Sequence, residues 1–236
     1  MRLHRFFVPQ PLGENVVVED ISLLHQWNHV FRYSVGDFVI LFSGDGFDHH
    51  YCIDSLTKKR GTLTHKKNER VSTPSRHITL CLSLIKKDNF EYAAEKATEL
   101  GVTSILPILS SRSEKKNISV DRLQKIMKEA GEQCGRGDIP TLLPVTSLEK
   151  ALQNIPTGAV AVIFNKGGEP IEKIVKVTEN QEIFLFVGPE GGWSDQDLAH
   201  FETHSLHQTS LGETVLRAET AAIVGTAFFS IHTTNQ

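Results

Sequence analysis

The sequence predicts an α/β domain preceded by a small β-rich domain, and three observations carry that prediction. From His77 onward, strand-like apolar runs alternate with stretches of helical spacing, the pattern of a sheet covered by helices. Before it, short strand-like runs are separated by turns at intervals of about ten residues, which suggests a small barrel. Third, an apolar strand runs into a glycine-rich loop at Gly188–Gly192, the position where open α/β sheets bind ligands.

Taken in order, Val35-Gly36-Asp37 reads as a turn feeding a strand at Phe38–Phe42, and Ser43-Gly44-Asp45-Gly46 as a hairpin turn. Further strands are expected at Tyr51-Cys52-Ile53 and at Gly61–Thr64. The polar segment His65–Arg76, with Pro74, reads as a linker. The resulting domains are 1–72 and 73–236. In the second, Ile78–Leu84 is a buried strand, Asn89–Leu100 a helix stopped by Gly101, and Val102–Ile108 a strand. Val120–Gly135 is a charged helix. Ala159–Phe164 and Ile183–Val187 are continuous apolar runs, as a parallel sheet covered on both faces requires. Ser194 with Asp197 has the form of a capping box opening a helix. The apolar run Ile223–Ile231 predicts a buried C-terminal helix.

The chain has 236 residues, 39% apolar and 22% charged, which excludes disordered and fibrous classes. No apolar run reaches the ~18 residues of a membrane span, and the opening Met1–Pro9 is too short and too soon broken for a signal peptide. Cys52, Cys81 and Cys134 stand far apart, an arrangement expected of a reducing cytoplasm rather than of disulfides or a thiolate zinc site. The net charge of −3 is an average: residues 1–76 carry ten Lys/Arg and eight Asp/Glu, the remainder fifteen and twenty. Arg2, Arg5, Lys58-Lys59-Arg60, Lys66-Lys67 and Arg70 make the first part basic, which suits either a solvated face or a polyanion. A small phosphate footprint with shallow salt dependence is the expectation.

Two segments are suited to chemistry. Phe184–Asp197 contains Gly188-Pro189-Glu190-Gly191-Gly192, where missing side chains admit close backbone approach to a ligand; a rigid turn is the plainer alternative. It is neither GxGxxG nor a P-loop. Ser210–Ala222 places Arg217 and Glu219 just before the buried helix, where two charges are costly unless paired or used. His200 and His204 sit four apart without the HExxH pattern and read as an exposed helix face, and His49-His50 as solvated; no metal is expected. Trp27 and Trp193 suit either base stacking or packing. Cys134 is read as a space filler.

Gly188-Pro189-Glu190-Gly191-Gly192-Trp193-Ser194 followed by Leu211-Gly212-Glu213-Thr214-Val215-Leu216-Arg217-Ala218-Glu219-Thr220-Ala221 resembles the C-terminal signature of bacterial small-subunit ribosomal RNA uridine-N3 methyltransferases, a branch of the SPOUT class. Arg5-Phe6-Phe7, Arg32 with Gly36-Asp37, Glu95–Gly101, and Glu132-Gln133-Cys134-Gly135-Arg136 with Ile139-Pro140 agree in order along nearly the whole chain. The resemblance implies a PUA-like β-barrel that helps hold RNA, an α/β domain with a C-terminal trefoil knot, and a cytoplasmic homodimer using S-adenosyl-L-methionine. Carried over by position, the cofactor loops are Phe164-Asn165-Lys166, Gly188 to Gly192, and Leu211-Gly212 with Val215-Leu216-Arg217. Arg2, Arg5, Arg32 and Arg112 are the implied RNA contacts.

The implied acceptor, uridine N3, is a poor nucleophile until its proton leaves, so a cation beside the uracil oxygens is expected. Arg217 or Arg136 is assigned that role, with Glu132 or Glu219 orienting it. N3 lies on the pairing edge, so the target must be unpaired or flipped out. The chain departs from the family at His25-Gln26, at Phe31, at Glu114 in the loop Ser113–Lys116, and at Glu213-Thr214, where Pro-Arg is common. That last departure keeps open a non-catalytic RNA-binding assembly factor; transfer to another RNA position is the other alternative.

Overall fold

The computed structural model describes residues 3–74, 76–113, 117–177 and 181–231. It divides into two compact units, residues 1–73 with 131–139, and residues 74–130 with 140–236. Arg2 and Glu114, singled out in the sequence, lie outside the described residues.

The first unit is a five-stranded sheet built on β1 (Arg5–Phe7), β2 (Asn15–Val18), β3 (Phe38–Phe42), β4 (Phe47–Leu56) and β5 (Gly61–Arg70). The order is β1-β3-β4-β5-β2, with β1 parallel to β3 and every other pair antiparallel. The pairing path is open between β1 and β2 among the described residues, so its hydrogen bonding is that of a sheet, not of a closed barrel. Register shifts at His50/Tyr51 and Ile53/Ser55 are the kind that bend a long hairpin. Helix α1 (Ile21–His25) is capped by Asp20, whose carboxylate accepts from the N–H groups of Ser22 and Leu23, and continues as π-helical turns over Gln26–Phe31. It delivers Leu23, Leu24 and Trp27 to a core shared with Val39, Leu41, Tyr51, Ile53 and Leu63.

Two sequence expectations are corrected in this unit, and the choice left open for Trp27 falls to packing. His65–Arg70 is not linker but the second half of β5, paired with Phe47–Tyr51. Its side chains are mostly exposed, so a strand without an apolar face reads as loop. His49 and His50 are not solvated: they are buried, with Nε2 atoms 2.7 Å from Asp45 Oδ2 and 3.1 Å from Glu69 Oε2. Trp27 is fully buried and offers no surface for base stacking.

The second unit is a parallel sheet of β6 (Ile78–Ser83), β7 (Ser104–Leu109), β8 (Thr141–Leu142), β9 (Thr146–Ser147), β10 (Val160–Pro170), β11 (Ile183–Val187) and β12 (His207–Ser210). The order is β12-β10-β11-β6-β7-β8, with β9 also on β7. Every residue of β6 and β11 is buried, as continuous apolar composition at the centre of a doubly covered sheet demands. The helices are α2 (Lys87–Glu99), α3 (Val120–Cys134), α4 (Leu148–Gln153), α5 (Ile171–Val177), α6 (Asp195–Thr203) and α7 (Ala218–Ile231). α2 ends before Gly101, which takes φ +94°. α2 and α7 pack together, and α7 also lies on β6 and β11. A second cluster joins Leu148, Ala151 and Leu152 of α4 and Phe201 of α6 to Ile163 and Phe186.

Position 225 decides how α7 crosses the sheet. A Cβ there would run into the Phe164 ring, so glycine lets the helix lie directly on the end of β10. None of the described helices is long and apolar enough to cross a membrane.

Candidate functional site

The C-terminal edge of the second sheet carries a hollow of about 610 Å³, assembled from the ends of three strands. Phe164, Asn165 and Lys166 come from the irregular stretch inside β10, Val187 to Glu190 with Gly192 and Trp193 follow β11, and Val215 to Ala218 join β12 to α7. Lys86 and Asn89, at the start of α2, complete the wall. A smaller adjoining hollow of about 110 Å³ is lined by Ser210, Leu211, Gly212 and Thr214 with Phe164 and Leu216. Loops at the carboxyl ends of parallel strands converge there because every strand of the sheet points the same way.

Each loop is held in shape by identifiable bonds. Residues 165–168 bulge out of β10, since both Phe164 and Glu169 face Thr209 of β12. At Gly168 a Cβ would stand 2.6 Å from the backbone nitrogen of Thr209, so the return of the bulge requires glycine. The indole N–H of Trp193 donates to the Phe164 carbonyl at 3.2 Å, which staples the second loop to the first. Its ring is the wall against which Gly188 sits; an added Cβ would lie 3.0 Å from it. The Lys86 N–H donates to Glu190 Oε1 at 3.1 Å, and Arg112 Nη1 donates to the Gly191 carbonyl at 2.9 Å. Gly192, at φ +69°, closes a turn by donating to the Pro189 carbonyl at 2.8 Å.

The capping box expected after this loop is present. Ser194 accepts from the Asp197 N–H at 3.1 Å, and Asp197 Oδ2 accepts from the Ser194 N–H at 3.0 Å. Asp197 also accepts from the Ser111 hydroxyl at 2.9 Å, which fixes the loop after β7 against the same turn. In the third loop, Ser210 Oγ donates to the Gly212 carbonyl at 2.8 Å.

Of the expected cofactor-binding residues, Phe164, Asn165, Gly188, Pro189, Glu190, Gly192, Val215, Leu216 and Arg217 line the larger hollow, and Leu211 and Gly212 the smaller. Gly191 turns its carbonyl to Arg112 instead. Arg217 is exposed at the mouth, while Glu219 is buried. No ion pair joins the two, so mutual neutralisation is not their role. Lys86 and Asn89 went unnoticed in the sequence, for they belong to an ordinary helix start with no motif of its own.

Arg136, Glu132 and Arg5 stand elsewhere. They belong to the first unit, and neither hollow is lined by them. The Arg5 guanidinium meets Asp48 at 2.6 and 2.8 Å and also donates to the carbonyls of Gly131 (3.2 Å) and Arg136 (2.9 Å). It lies 4.4 Å over the Phe42 ring. Arg136 is forked onto Asp138 at 2.9 and 3.1 Å, and Glu132 Oε1 accepts the Phe7 N–H at 2.9 Å. These bonds hold residues 131–139 to the sheet. Arg32 is exposed, at φ +55° just after the π-helical turns.

Cys81 is fully buried and burial pushes its thiol far up, so it is no thiolate nucleophile. His204 is exposed and His200 half-buried, with His204 Nδ1 against the His200 carbonyl. Among the described residues no group of three or more His, Cys, Asp or Glu side chains converges on a metal position.

A parallel sheet with helices on its faces and a hollow of this size at its carboxyl edge defines a ligand-binding α/β domain. The chain belongs to the RNA methyltransferase domain family, whose model matches residues 72–230. It is 29% identical to the ribosomal RNA small subunit methyltransferase E of Rickettsia conorii, covering 96% of this chain and 95% of that one. The Bacillus subtilis protein of the same name is 28% identical, over 89% and 88%. Among solved structures, the ribosomal RNA small subunit methyltransferase E of Neisseria gonorrhoeae bound to S-adenosyl methionine superposes with a TM-score of 0.87, at 28% identity and 96% of each chain.

Proposed function

We propose that this protein transfers a methyl group from S-adenosyl-L-methionine to N3 of one uridine in the RNA of the small ribosomal subunit. The observation that carries the reading is the hollow: in a chain similar to these methyltransferases over nearly its whole length, the glycine-rich loops close around one cavity. The residues present fit the donor. Glycines at 188 and 192 leave room for close backbone approach, Val215 and Leu216 supply an apolar slot, and Glu219 holds a buried oxygen with no partner among the described residues. When bound, the donor supplies an already activated methyl group.

The protein then has to position the acceptor and stabilise charge on it. Arg217 is the residue assigned to that task, because its guanidinium is exposed at the mouth and unpaired among the described residues. It would stabilise the uracil oxygen as the N3 proton leaves. Lys86 and Lys166, also exposed on the rim, are assigned to flanking phosphates. In the first unit Lys58, Lys59, Arg60 and the charged half of β5 are exposed, which suits a PUA-like RNA-holding role for residues 1–72. A trefoil knot, cytoplasmic location and homodimeric assembly complete the reading. The half-buried apolar side chains Ile223, Val224 and Phe228 on α7 favour the dimer. Of the Glu213-Thr214 departure, Glu213 is exposed and lines neither hollow, while Thr214 lines only the smaller one.

The test is nucleoside mass spectrometry of small-subunit RNA incubated with the purified chain and S-adenosylmethionine. The expected result is 3-methyluridine at a single position. Methylation of another atom, or of fully duplex RNA at the same rate, overturns the reading.

A further inference from the structure

The hollow is lined by an ionisable group with one oxygen that nothing among the described residues satisfies. Glu219 opens α7, is 8% exposed, and lines the cavity. Its Oε2 is fully buried with no hydrogen-bond partner. A carboxyl in that setting is unfavourable until a partner arrives, and the partner it favours is a cation. Among the described residues the cations of the wall do not serve: Lys86, Lys166 and Arg217 are exposed at the rim, and none of them bonds to it. The other acid in the wall, Glu190, is exposed and already engaged by the Lys86 N–H. Charge is thus sorted by depth, with cations at the mouth and one unsatisfied carboxyl inside.

We propose that Glu219 receives the cationic centre of the methyl donor, an assignment that rests on the function proposed above. S-Adenosylmethionine has two such centres, the sulfonium and the α-ammonium. The demethylated product keeps the ammonium but has a neutral thioether. 5′-Methylthioadenosine has neither cation while keeping the adenosine that the apolar slot would hold. Glu219 therefore recognises charge, separately from the loops that recognise the nucleoside.

The test is calorimetric titration of the full chain and of Glu219→Gln with all three ligands, alongside thermal melts. The expected result is that the substitution weakens S-adenosylmethionine by at least about tenfold, equivalent to about 1.4 kcal/mol. Affinity for 5′-methylthioadenosine stays within about twofold. If the demethylated product weakens in parallel, the ammonium is the partner; if it is unaffected, the sulfonium is; either supports the assignment. Equal losses for S-adenosylmethionine and 5′-methylthioadenosine, or no loss for the former, overturn it. In the unaltered chain the assignment also requires a preference of at least about tenfold for S-adenosylmethionine over 5′-methylthioadenosine, and absence of that preference overturns it without recourse to a variant. A native chain that binds none of the three overturns the proposed function itself, a result distinct from binding without charge selectivity.

Discussion

Arg136 in the first unit and Arg217 in the second are chemically the same residue in opposite circumstances. The Arg136 side chain is 6% exposed and forked onto Asp138, in a network that also contains Arg5 and Asp48. Arg217 is exposed at the rim of a cavity, beside a carboxyl with which it does not pair. Both stand near glycines in motif-like stretches, so the sequence offers them as equals. What separates them is hydrogen-bond saturation: an arginine already satisfied by carboxylates and carbonyls holds a structure together, whereas one left unsatisfied at a cavity is available to a ligand.

The comparison breaks most visibly at Arg5. Arg5→Ala leaves Asp48 buried without its partner, and removing one member of a buried pair costs about 3–5 kcal/mol. Urea unfolding of the variant should show a loss of that size; a change under 1 kcal/mol would mean that the network is incidental. Arg217→Ala should do the reverse, lowering single-turnover methyl transfer on the order of a hundredfold. Its unfolding midpoint should stay where it was, and loss of stability instead would erase the contrast.

A smaller effect sharpens the second unit alone. Gly225→Ala pushes a methyl into the Phe164 ring, and overpacking of this kind typically costs about 1–3 kcal/mol. Because Phe164 also walls the hollow, nucleoside affinity in calorimetry should fall with it. Unchanged affinity would mean that the ring moves away from the cavity.

The smallest effect expected is at Glu91, buried on α2, whose carboxyl is held below the usual range by the hydrogen bond from Arg122, partly opposed by burial. A depressed carboxylate contributes stability that is fully present above its unfolded value, near pH 4.3, and disappears as pH falls through the lower folded value. Arg122 is largely exposed, so solvent screening should keep the pair's contribution small. Arg122→Gln should lower stability slightly at neutral pH and leave it unchanged in strong acid, so that the acid limb of the stability curve flattens. A steeper acid limb would contradict this.

These contrasts also explain what the sequence could reveal. β11 spans Ile183–Val187 as expected, because five consecutive apolar residues fit only a strand buried on both faces. The capping box was equally legible, since Ser194 and Asp197 act locally on each other. The second half of β5 was not, because Lys66 to Arg70 are ordered by pairing with β4 rather than by an apolar face of their own. The polar strand His207–Ser210 escaped for the same reason: its partner β10 determines it. At the site, the glycine-rich loops announced themselves through composition. The roles of Arg5, Glu132 and Arg136 did not, because saturation by partners distant in sequence leaves no local trace.

The staple between the first two loops has one more consequence. The protein has only two tryptophans, and they sit in opposite settings. Trp193 forms the wall of the hollow and bonds to Phe164, whereas Trp27 is sealed in the core of the other unit with its indole nitrogen unbonded. Trp27→Phe would therefore sacrifice no hydrogen bond and leave a single indole. The emission of that indole would follow occupancy of the cavity directly, so the molecule contains its own optical gauge of ligand arrival.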